Sequence, residues 1–366
     1  MKAVITGGGT GGHIYPAVAI ADEIKRRDPD GEIMFIGSEQ GLERDLVPKC
    51  GYEITMICAD GFGRKLNKNI IAVKKIIKAM GQAKKILKDF RPDFVVGTGG
   101  YASAPVVKVA QSLGIPTFIQ EQNAVPGRTN KVLEKNAVKV FLGFPKAGES
   151  FKYPEKHMCT GNPVRSQFTT TDRAASREKL GFADDQFVIM AFGGSQGAGR
   201  VNKAMLRVIE EFRDDPKCVI VMGVGGYYID AITEELKNMG IETGGNVRIY
   251  EYIDDMATFL ASADLIISRS GAISVAETTA CGIPSILIPS PIVTGNHQYY
   301  NALSVAEEGG ACLIEEKNLE DDSLVELIRE LREDPERLAE MAKASYRCGP
   351  RDAAGEICDI IFEEIG

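Results

Sequence analysis

The first residues whose types and spacing suggest chemistry form the segment Gly7-Gly8-Gly9-Thr10-Gly11-Gly12-His13. An apolar run precedes this segment, and residues with a helical period follow it. Glycines allow the backbone to approach a ligand closely, and the N-terminus of a helix attracts anions. A histidine titrates near neutral pH, so His13, at the predicted helix start, is a candidate general base. Its alternative role is to cap or pack that helix.

The same segment also fits a dinucleotide-binding motif. Gly7, Gly9 and Gly12 have the spacing G-x-G-x-x-G, and Glu39 follows the next predicted strand. This arrangement is typical of domains that bind nicotinamide cofactors. The motif does not require a titratable residue such as His13 at the helix start. A dehydrogenase therefore remains an open alternative at this point.

Two further loops in the second half of the chain are rich in small residues. They are Gly193-Gly194-Ser195-Gln196-Gly197 and the segment RSGAISVAE at residues 269–277. Both provide backbone N–H groups at predicted helix starts, and two such loops in one domain suit a nucleoside diphosphate. Glu277 lies inside the second helix, where a carboxylate can accept hydrogen bonds from both ribose hydroxyls. The alternative is an ordinary surface glutamate.

Short β-branched runs alternate with helical segments along most of the chain. We predict strands at residues 3–6, 33–36, 94–96, 117–119, 138–142, 187–192, 219–222, 247–250, 265–267 and 285–288. We predict helices at residues 16–27, 102–113, 202–212, 274–281 and 324–331. This alternation indicates an α/β protein with doubly wound parallel sheets.

The strand–glycine loop–helix unit at residues 4–9 occurs again at residues 189–197. Two such starts predict two Rossmann-like domains in tandem, with a boundary near the turn sequence Gly161-Asn162-Pro163. In domains of this kind, ligands bind at the carboxyl ends of the strands.

Composition limits the classes of protein to consider. The chain has 366 residues, of which 44% are apolar and 26% charged, and this excludes disordered and collagen-like classes. Its eight cysteines contain no C-x-x-C pair, and it has three histidines. We therefore expect reduced thiols and no multi-histidine metal centre. We also expect neither a signal peptide nor a spanning helix.

Taken as a whole, the net charge of −8 argues against nucleic acid and other phosphate-rich partners and against an anionic membrane, but the charge is unevenly distributed. Residues 1–163 carry 24 basic and 16 acidic residues, whereas the remainder carries 19 and 35. Residues 61–88 contain nine basic and no acidic residues. We interpret residues 73–88 as a surface helix whose apolar face, which includes Ile77, packs on the sheet. For the preceding segment we predict contact with anionic lipid through Phe62, Arg64, Lys65, Leu66, Lys68, Ile70 and Ile71.

Seven sequence strings together resemble the MurG family, the bacterial N-acetylglucosaminyltransferases that convert lipid I to lipid II in peptidoglycan synthesis. The strings are GGTGGHIYP at residues 8–16, GTGGY at 97–101, EQN at 121–123, GNPVR at 161–165, GGSQG at 193–197, RSGAISVAE at 269–277 and HQYYN at 297–301. The resemblance implies a GT-B fold of two Rossmann-like domains separated by a cleft. Residues 1–163 with 347–366 would form the acceptor and membrane domain, and residues 164–346 the UDP-GlcNAc domain.

The resemblance further implies inverting transfer of GlcNAc from UDP-GlcNAc to the C4 hydroxyl of MurNAc in undecaprenyl-diphospho-MurNAc-pentapeptide. The enzyme would act peripherally at the cytoplasmic side of the membrane, without a cofactor or an obligatory metal, and other cell-wall synthesis proteins are possible partners. We expect His13 to be the base, with Glu121 as the alternative. The implied substrate-binding residues are Thr10, Gly11, Gly12, Asn123, Arg165, Ser195, Ile253, Ala272, Ile273, Ser274, Val275, Ala276, Glu277 and Gln298.

Within that set, the resemblance assigns a part of the donor to each group of residues. The Ile253 backbone would meet uracil, and Glu277 would bind ribose. Ser195, Arg165 and the helix start at residues 272–275 would hold the diphosphate. Gln298 and Asn123 would hold GlcNAc hydroxyls, with residues 10–12 close to the sugar.

Two other functions remain open besides the dehydrogenase. A UDP-GlcNAc 2-epimerase also uses two Rossmann-like domains, but it would need carboxylates and histidines acting together at C2, and histidines are scarce here. A non-enzymatic protein that binds nucleotide sugar at the membrane would bind UDP-GlcNAc without turnover.

Overall fold

The computed structural model describes residues 1–59, 66–194, 197–319 and 322–366, and for residues 66–73 it describes the backbone only. The chain forms two compact units. Unit 1 comprises Met1–Arg165 and Asp352–Gly366, and unit 2 comprises Ser166–Arg351. The boundaries predicted from the sequence differ from these at both points where the chain passes from one unit to the other. Residues 164–165 lie in unit 1, and residues 347–351 lie in unit 2. The second difference arises because a long helix of unit 2 continues to Cys348.

Unit 1 contains a parallel sheet with helices between its strands. The strands are β1 Lys2–Gly7, β2 Glu32–Ser38, β3 Ile54–Ile57, β4 Phe94–Gly99, β5 Thr117–Glu121, β6 Lys139–Leu142 and β7 His157–Met158. The helices are α1 Gly11–Arg27, α2 Glu43–Lys49, α3 Leu66–Phe90, α4 Ser103–Ser112 and α5 Arg128–Leu133. Three short 3₁₀ segments at Glu134–Asn136, Pro145–Ser150 and Pro154–Lys156 complete the unit.

The strand order in unit 1 is β3-β2-β1-β4-β5-β6-β7, and every pairing is parallel. The inner strands are buried on both faces, as expected where helices cover both sides of a parallel sheet. The order reverses between β1 and β4, so the loops that follow these two strands flank the switch point. This is the place where an open α/β sheet binds its ligand.

Unit 2 repeats this architecture with fewer strands. Its strands are β8 Phe187–Phe192, β9 Cys218–Gly223, β10 Val247–Tyr250, β11 Leu265–Ser268, β12 Ser285–Leu287 and β13 Ala311–Leu313. Its helices are α6 Gln167–Thr170, α7 Arg173–Leu180, α8 Gly199–Phe212, α9 Ile229–Asn238, α10 Met256–Ser262, α11 Ala272–Ala280, α12 His297–Ala306, α13 Ser323–Glu333 and α14 Pro335–Cys348. Short 3₁₀ segments lie at Thr294–Asn296 and Glu316–Asn318.

The sheet of unit 2 has the order β10-β9-β8-β11-β12-β13, again with parallel pairing throughout. Its switch point therefore lies between β8 and β11. The loops after these strands are the two glycine- and serine-rich segments identified in the sequence. One hydrophobic cluster on this sheet draws its buried members only from residues 189–341.

The last helix, α15 Ala353–Ile365, returns to unit 1. Its side chains Ile357, Cys358 and Ile361 are buried in the same cluster as apolar residues of α1 and β1. The guanidinium of Arg27 at the end of α1 donates to the carbonyl of Gly355 at 2.9 Å and pairs with Asp359.

Two local predictions need correction. Helix α1 begins at Gly11 and not at residue 16, because Pro16 is accommodated inside the helix. In α3 the sequence placed Ile77 on the buried face, but this side chain is 64% exposed while Ala79, Ala83 and Leu87 are buried. Within the described residues, no helix combines the length and the apolar composition needed to cross a bilayer.

Candidate active site

His13 lies in the first turn of α1, directly after the glycine loop that follows β1. Its Nδ1 is 2.9 Å from the carbonyl oxygen of Thr98 in β4 and 2.9 Å from Oε1 of Gln122. A carbonyl oxygen only accepts hydrogen bonds, so Nδ1 carries the proton and Nε2 of the neutral ring keeps its lone pair. The ring is half-buried. A Cβ at Gly99 would lie 2.8 Å from Nδ1, so this glycine makes room for the imidazole.

Buried amides support the histidine, and sequence reasoning missed their role. Gln122 Nε2 donates to the Thr98 carbonyl at 2.7 Å. The backbone carbonyl of Gln122 accepts from Asn162 at 2.9 Å, and Asn162 in turn accepts from Gln120 at 2.9 Å. The signal was present as a polar run directly after the predicted strand at 117–119. Asn162, interpreted as part of a boundary turn, belongs to this network.

Glu121, the alternative base, has a structural role. Its Oε1 accepts from the backbone N–H of Asn123 at 3.0 Å and from the Asn123 amide at 3.3 Å. Its Oε2 accepts from the Gly127 N–H at 3.0 Å and from Asn130 at 2.8 Å. The side chain is buried, and these bonds fix the turn after β5. The geometry therefore favours His13 over Glu121 as the base.

Three of the other residues predicted to bind sugar or phosphate are neighbours of His13 in the chain, and a fourth, Arg165, contacts the first turns of α1 through Tyr15. Thr10 precedes α1, and its carbonyl accepts from the N–H of His13 at 3.1 Å. Gly11 and Gly12 form the first helical positions. Arg165 belongs to unit 1, contrary to our assignment to the second domain, and its guanidinium stacks on Tyr15 with 4.7 Å to the ring centroid.

In unit 2, the predicted diphosphate site lies at the carboxyl edge of the sheet. Helix α11 begins at Ala272, and among the described residues no side chain caps its first N–H groups. Ile273, Ser274, Val275 and Ala276 continue this start. The hydroxyls of Ser268 and Ser270 are buried beside it, without a hydrogen-bond partner among the described residues. The N–H groups of a helix start attract an anion, whereas these two hydroxyls are closed off from solvent. Ser195 lies outside the described residues.

The remaining predicted donor contacts also follow strands of unit 2. Ile253 comes after β10, is 4% exposed and packs against Gly223 at the end of β9. No hydrogen bond joins its backbone to another described residue. Glu277 lies in α11 and is half-buried. Gln298 lies in the first turn of α12, and its Oε1 accepts from the N–H of Ser290 at 2.9 Å.

Arg269 ties these loops together, which the sequence did not indicate. Its guanidinium donates to the carbonyls of Ile288 and Pro289 at 3.1 and 3.2 Å and pairs with Glu316. It thereby joins the segments that follow β11, β12 and β13. The segment before Gln298 is thus held at its base by the loop that leads into α11.

The last two features concern metal ligands and the predicted lipid contacts. Among the described residues, no three His, Cys, Asp or Glu side chains form a group that could hold a metal ion. Of the predicted lipid-contact residues, Phe62, Arg64 and Lys65 lie outside the described residues. For Leu66, Lys68, Ile70 and Ile71 only the helical backbone is described.

Comparison with known proteins identifies the family. The N-terminal domain of glycosyltransferase family 28 matches residues 3–142, and the C-terminal domain of that family matches residues 188–357. A relative in Acetivibrio thermocellus, named UDP-N-acetylglucosamine--N-acetylmuramyl-(pentapeptide) pyrophosphoryl-undecaprenol N-acetylglucosamine transferase, is 44% identical over 99% of this chain and 97% of its own. The chain belongs to the MurG family. It is therefore an N-acetylglucosaminyltransferase with the GT-B fold.

Solved structures agree with the MurG family assignment. MurG of Acinetobacter baumannii matches 99% of both chains with a TM-score of 0.76 and 28% identity. A UDP-GlcNAc 2-epimerase from Neisseria meningitidis matches with a TM-score of 0.70 but only 17% identity. This second likeness concerns the fold alone, so it gives no support to the epimerase alternative.

Proposed function

We propose that the protein transfers GlcNAc from UDP-GlcNAc to the C4 hydroxyl of MurNAc in lipid I, with unit 1 supplying the base and unit 2 binding the donor. The observation that carries this assignment is the His13 hydrogen bond to the Thr98 carbonyl at 2.9 Å. It fixes the tautomer in which Nε2 can accept a proton. Membership of the MurG family supports the substrates.

The reaction follows from a single in-line displacement. The C4 hydroxyl gives its proton to Nε2 of His13 as its oxygen attacks C1 of GlcNAc. The bond from C1 to the β-phosphate oxygen breaks, and UDP leaves with the bonding electrons. Attack opposite the leaving group inverts the anomeric carbon and gives a β-linkage. No proton is needed by the departing diphosphate if positive groups meet its charge.

Unit 2 supplies those groups in this proposal. The uncapped N–H groups at the start of α11 meet the diphosphate. Glu277 accepts from the ribose hydroxyls, and the Ile253 backbone pairs with uracil. The amide nitrogen of Gln298 donates to GlcNAc, because its oxygen is already engaged by Ser290. Asn123 and Arg165 of unit 1 complete the proposed set.

The membrane contact is a separate part of the proposal. Helix α3 exposes Lys74, Ile77 and Lys78 just after the predicted lipid-binding segment. An exposed isoleucine between lysines suits an anionic lipid surface, where the charges meet head groups and the apolar side chain enters the interface. We infer that the protein works peripherally on the cytoplasmic side of the membrane.

One assay separates the candidate functions. The protein is incubated with labelled UDP-GlcNAc and a short-chain lipid I analogue, with and without EDTA. We expect UDP release and a disaccharide product in both cases. Epimerised UDP-sugar, NAD(P)-linked absorbance change at ~340 nm, or binding without turnover would each point to one of the alternatives.

Substitution of His13 tests the base directly. His13→Ala removes the proton acceptor, so we expect kcat to fall by about 10²–10⁴-fold at saturating donor and acceptor. The affinity for UDP should not change, because His13 is not among the proposed UDP contacts. His157→Gln is the matched control because His157 lies elsewhere in unit 1, paired with Glu134. Near-normal kcat in His13→Ala would contradict the assignment.

Charge reversal tests the membrane segment. Each basic residue near an anionic surface contributes about 1 kcal/mol, so reversing Arg64, Lys65 and Lys68 together should reduce vesicle partitioning by at least about a hundredfold. Flotation with anionic and neutral liposomes measures the change. Reversal of the exposed Lys217, Lys237 and Lys317 of unit 2 is the control. Unchanged binding to anionic vesicles would mean that another surface makes the contact.

A further inference from the structure

A buried carboxylate lies beneath the first glycine loop. Glu43, the first residue of α2, has 0% of its surface exposed. Its Oε2 accepts from the N–H of Gly9 at 2.7 Å, and its Oε1 accepts from the N–H and the hydroxyl of Ser38, both at 2.8 Å. In the part of the chain that the structure describes, no ion pair joins it to a lysine or arginine. Burial of such a group is costly unless its hydrogen bonds are satisfied.

Three glycines leave the space that this carboxylate occupies. A Cβ at Gly8 would lie 2.2 Å from the carboxyl group of Glu43, and one at Gly41 would lie 1.9 Å from it. A Cβ at Gly37 would lie 2.5 Å from Cγ of the same side chain. In a dinucleotide-binding loop, glycines make room for the diphosphate of a ligand. Here, part of the glycine pattern makes room for an internal anion.

The carboxylate also uses a backbone donor that an external anion would need. The N–H of Gly9 is engaged by Glu43, and the N–H of Gly8 donates to the carbonyl of Gly99 at 3.2 Å. A diphosphate at this point would meet both an occupied donor and a like charge. The loop is nevertheless held firmly, and the next residue, Thr10, accepts from the N–H of His13.

We propose that Glu43 is a positioning residue for the transferase reaction. Its carboxylate takes the place of a ligand anion at the first glycine loop and fixes residues 8–10, and thereby the first turn of α1 that carries His13. The inference rests on the proposed function, because it presumes that His13 is the base.

The first test compares two buried glutamates of unit 1. Glu43→Gln cannot accept from Gly9 and Ser38 together, so we expect kcat to fall by as much as about a hundredfold, the effect of a misplacement of about 1 Å. KM for UDP-GlcNAc should not change. Glu134→Gln is the matched control, because Glu134 is also fully buried and accepts from backbone N–H groups of Lys152 and Tyr153. It should lose stability but keep kcat.

The second test uses a small anion. In Glu43→Ala, the loop loses its internal carboxylate, and added formate should restore a large part of kcat, whereas chloride at equal ionic strength should not. Circular dichroism and thermal unfolding show that each variant is folded. Wild-type kcat in folded Glu43→Gln, or restoration by both salts alike, would overturn the proposal. If His13→Ala itself keeps normal kcat, the proposed function fails first, whatever the Glu43 variants do.

Discussion

At the scale of single residues, two histidines of unit 1 are held by different partners. His13 is oriented by a backbone carbonyl and an amide oxygen, which add no net charge. His157 instead lies 2.8 Å from Oε1 of the buried Glu134. The first arrangement places the proton on Nδ1 and leaves Nε2 of His13 with its lone pair, as a proton acceptor requires. The second fixes a chain segment, because Glu134 also accepts from the N–H groups of Lys152 and Tyr153.

The Glu134 cluster predicts how stability depends on pH. Burial acts to raise the pKa of Glu134, but His157 and the two backbone N–H groups outweigh it and hold the pKa below the ordinary value of 4.5. A lowered folded-state pKa stabilises the fold above the ordinary value, and this contribution is lost as the pH falls below about 4.5 through the folded-state pKa.

Thermal unfolding of the wild type and Glu134→Gln between pH 3 and pH 7 measures this effect. We expect the variant to be less stable by about 1–3 kcal/mol at pH 7, since buried donors lose their acceptor, and to depend less on pH. Glu363→Gln, on the exposed face of α15, should behave as the wild type. Equal pH dependence in Glu134→Gln and the wild type would refute the role of this carboxylate.

The same scale shows where sequence reasoning stops. His13 was predictable because its residue type stands directly after a strand and a glycine loop. Glu43 was not, because its role depends on the turn after β2 folding back beneath the first loop. The dinucleotide pattern directed attention to Glu39 instead. The bonds of Glu121 were likewise invisible, since they join it to residues whose positions depend on the turn after β5.

At the scale of elements, most strands were predictable because buried parallel strands form continuous apolar runs. Helix starts and helix faces were harder to predict. Helix α1 extends five residues before Pro16, and Ile77 of α3 is exposed despite its helical spacing with buried neighbours. Tertiary contacts decide such details. The last helix is the clearest case, because its partner α1 lies at the opposite end of the sequence.

The packing of α15 leads to a stability prediction. Ile361 is 0% exposed and lies in the cluster formed by α1 and β1. Ile361→Ala should destabilise unit 1 by about 2–5 kcal/mol through lost burial and the cavity left behind. Glu363→Ala, on the exposed face of the same helix, should change stability by less than about 0.5 kcal/mol. Denaturant unfolding followed by circular dichroism compares the two, and equal effects would show that α15 is not part of the core.

At the scale of the whole molecule, the net charge of −8 is the sum of a basic and an acidic part. The basic excess lies in residues 1–163 and suits an anionic surface, whereas the acidic remainder binds its nucleotide through local loops in our proposal. This difference in charge between the two parts could be read from the sequence, because it requires only a count of residues along the chain. The exact residues at which the chain leaves unit 1 and returns to it could not be predicted in this way.

The independence of unit 2 is testable. Its main hydrophobic cluster lies wholly within residues 189–341, and its proposed UDP contacts, apart from Arg165, lie within the unit. We expect a fragment of residues 166–351 to fold and to bind UDP with an affinity within about a hundredfold of the full chain, since the lost contact to a charged group is worth about 1.5–3 kcal/mol. Calorimetric titration measures this, with the Glu277→Ala fragment as control. An unfolded fragment, or binding unaffected by that substitution, would contradict the assignment.

The return of α15 to unit 1 has a consequence for synthesis on the ribosome. Unit 2 is inserted between two parts of unit 1, so all of its residues emerge before those that complete the first core. The nascent unit 1 therefore keeps an apolar face of α1 and β1 uncovered throughout translation of the whole of unit 2. Domains usually finish folding in the order in which they are made. Here the domain that begins first is completed last, and chaperones that bind apolar segments have a long interval in which to engage it.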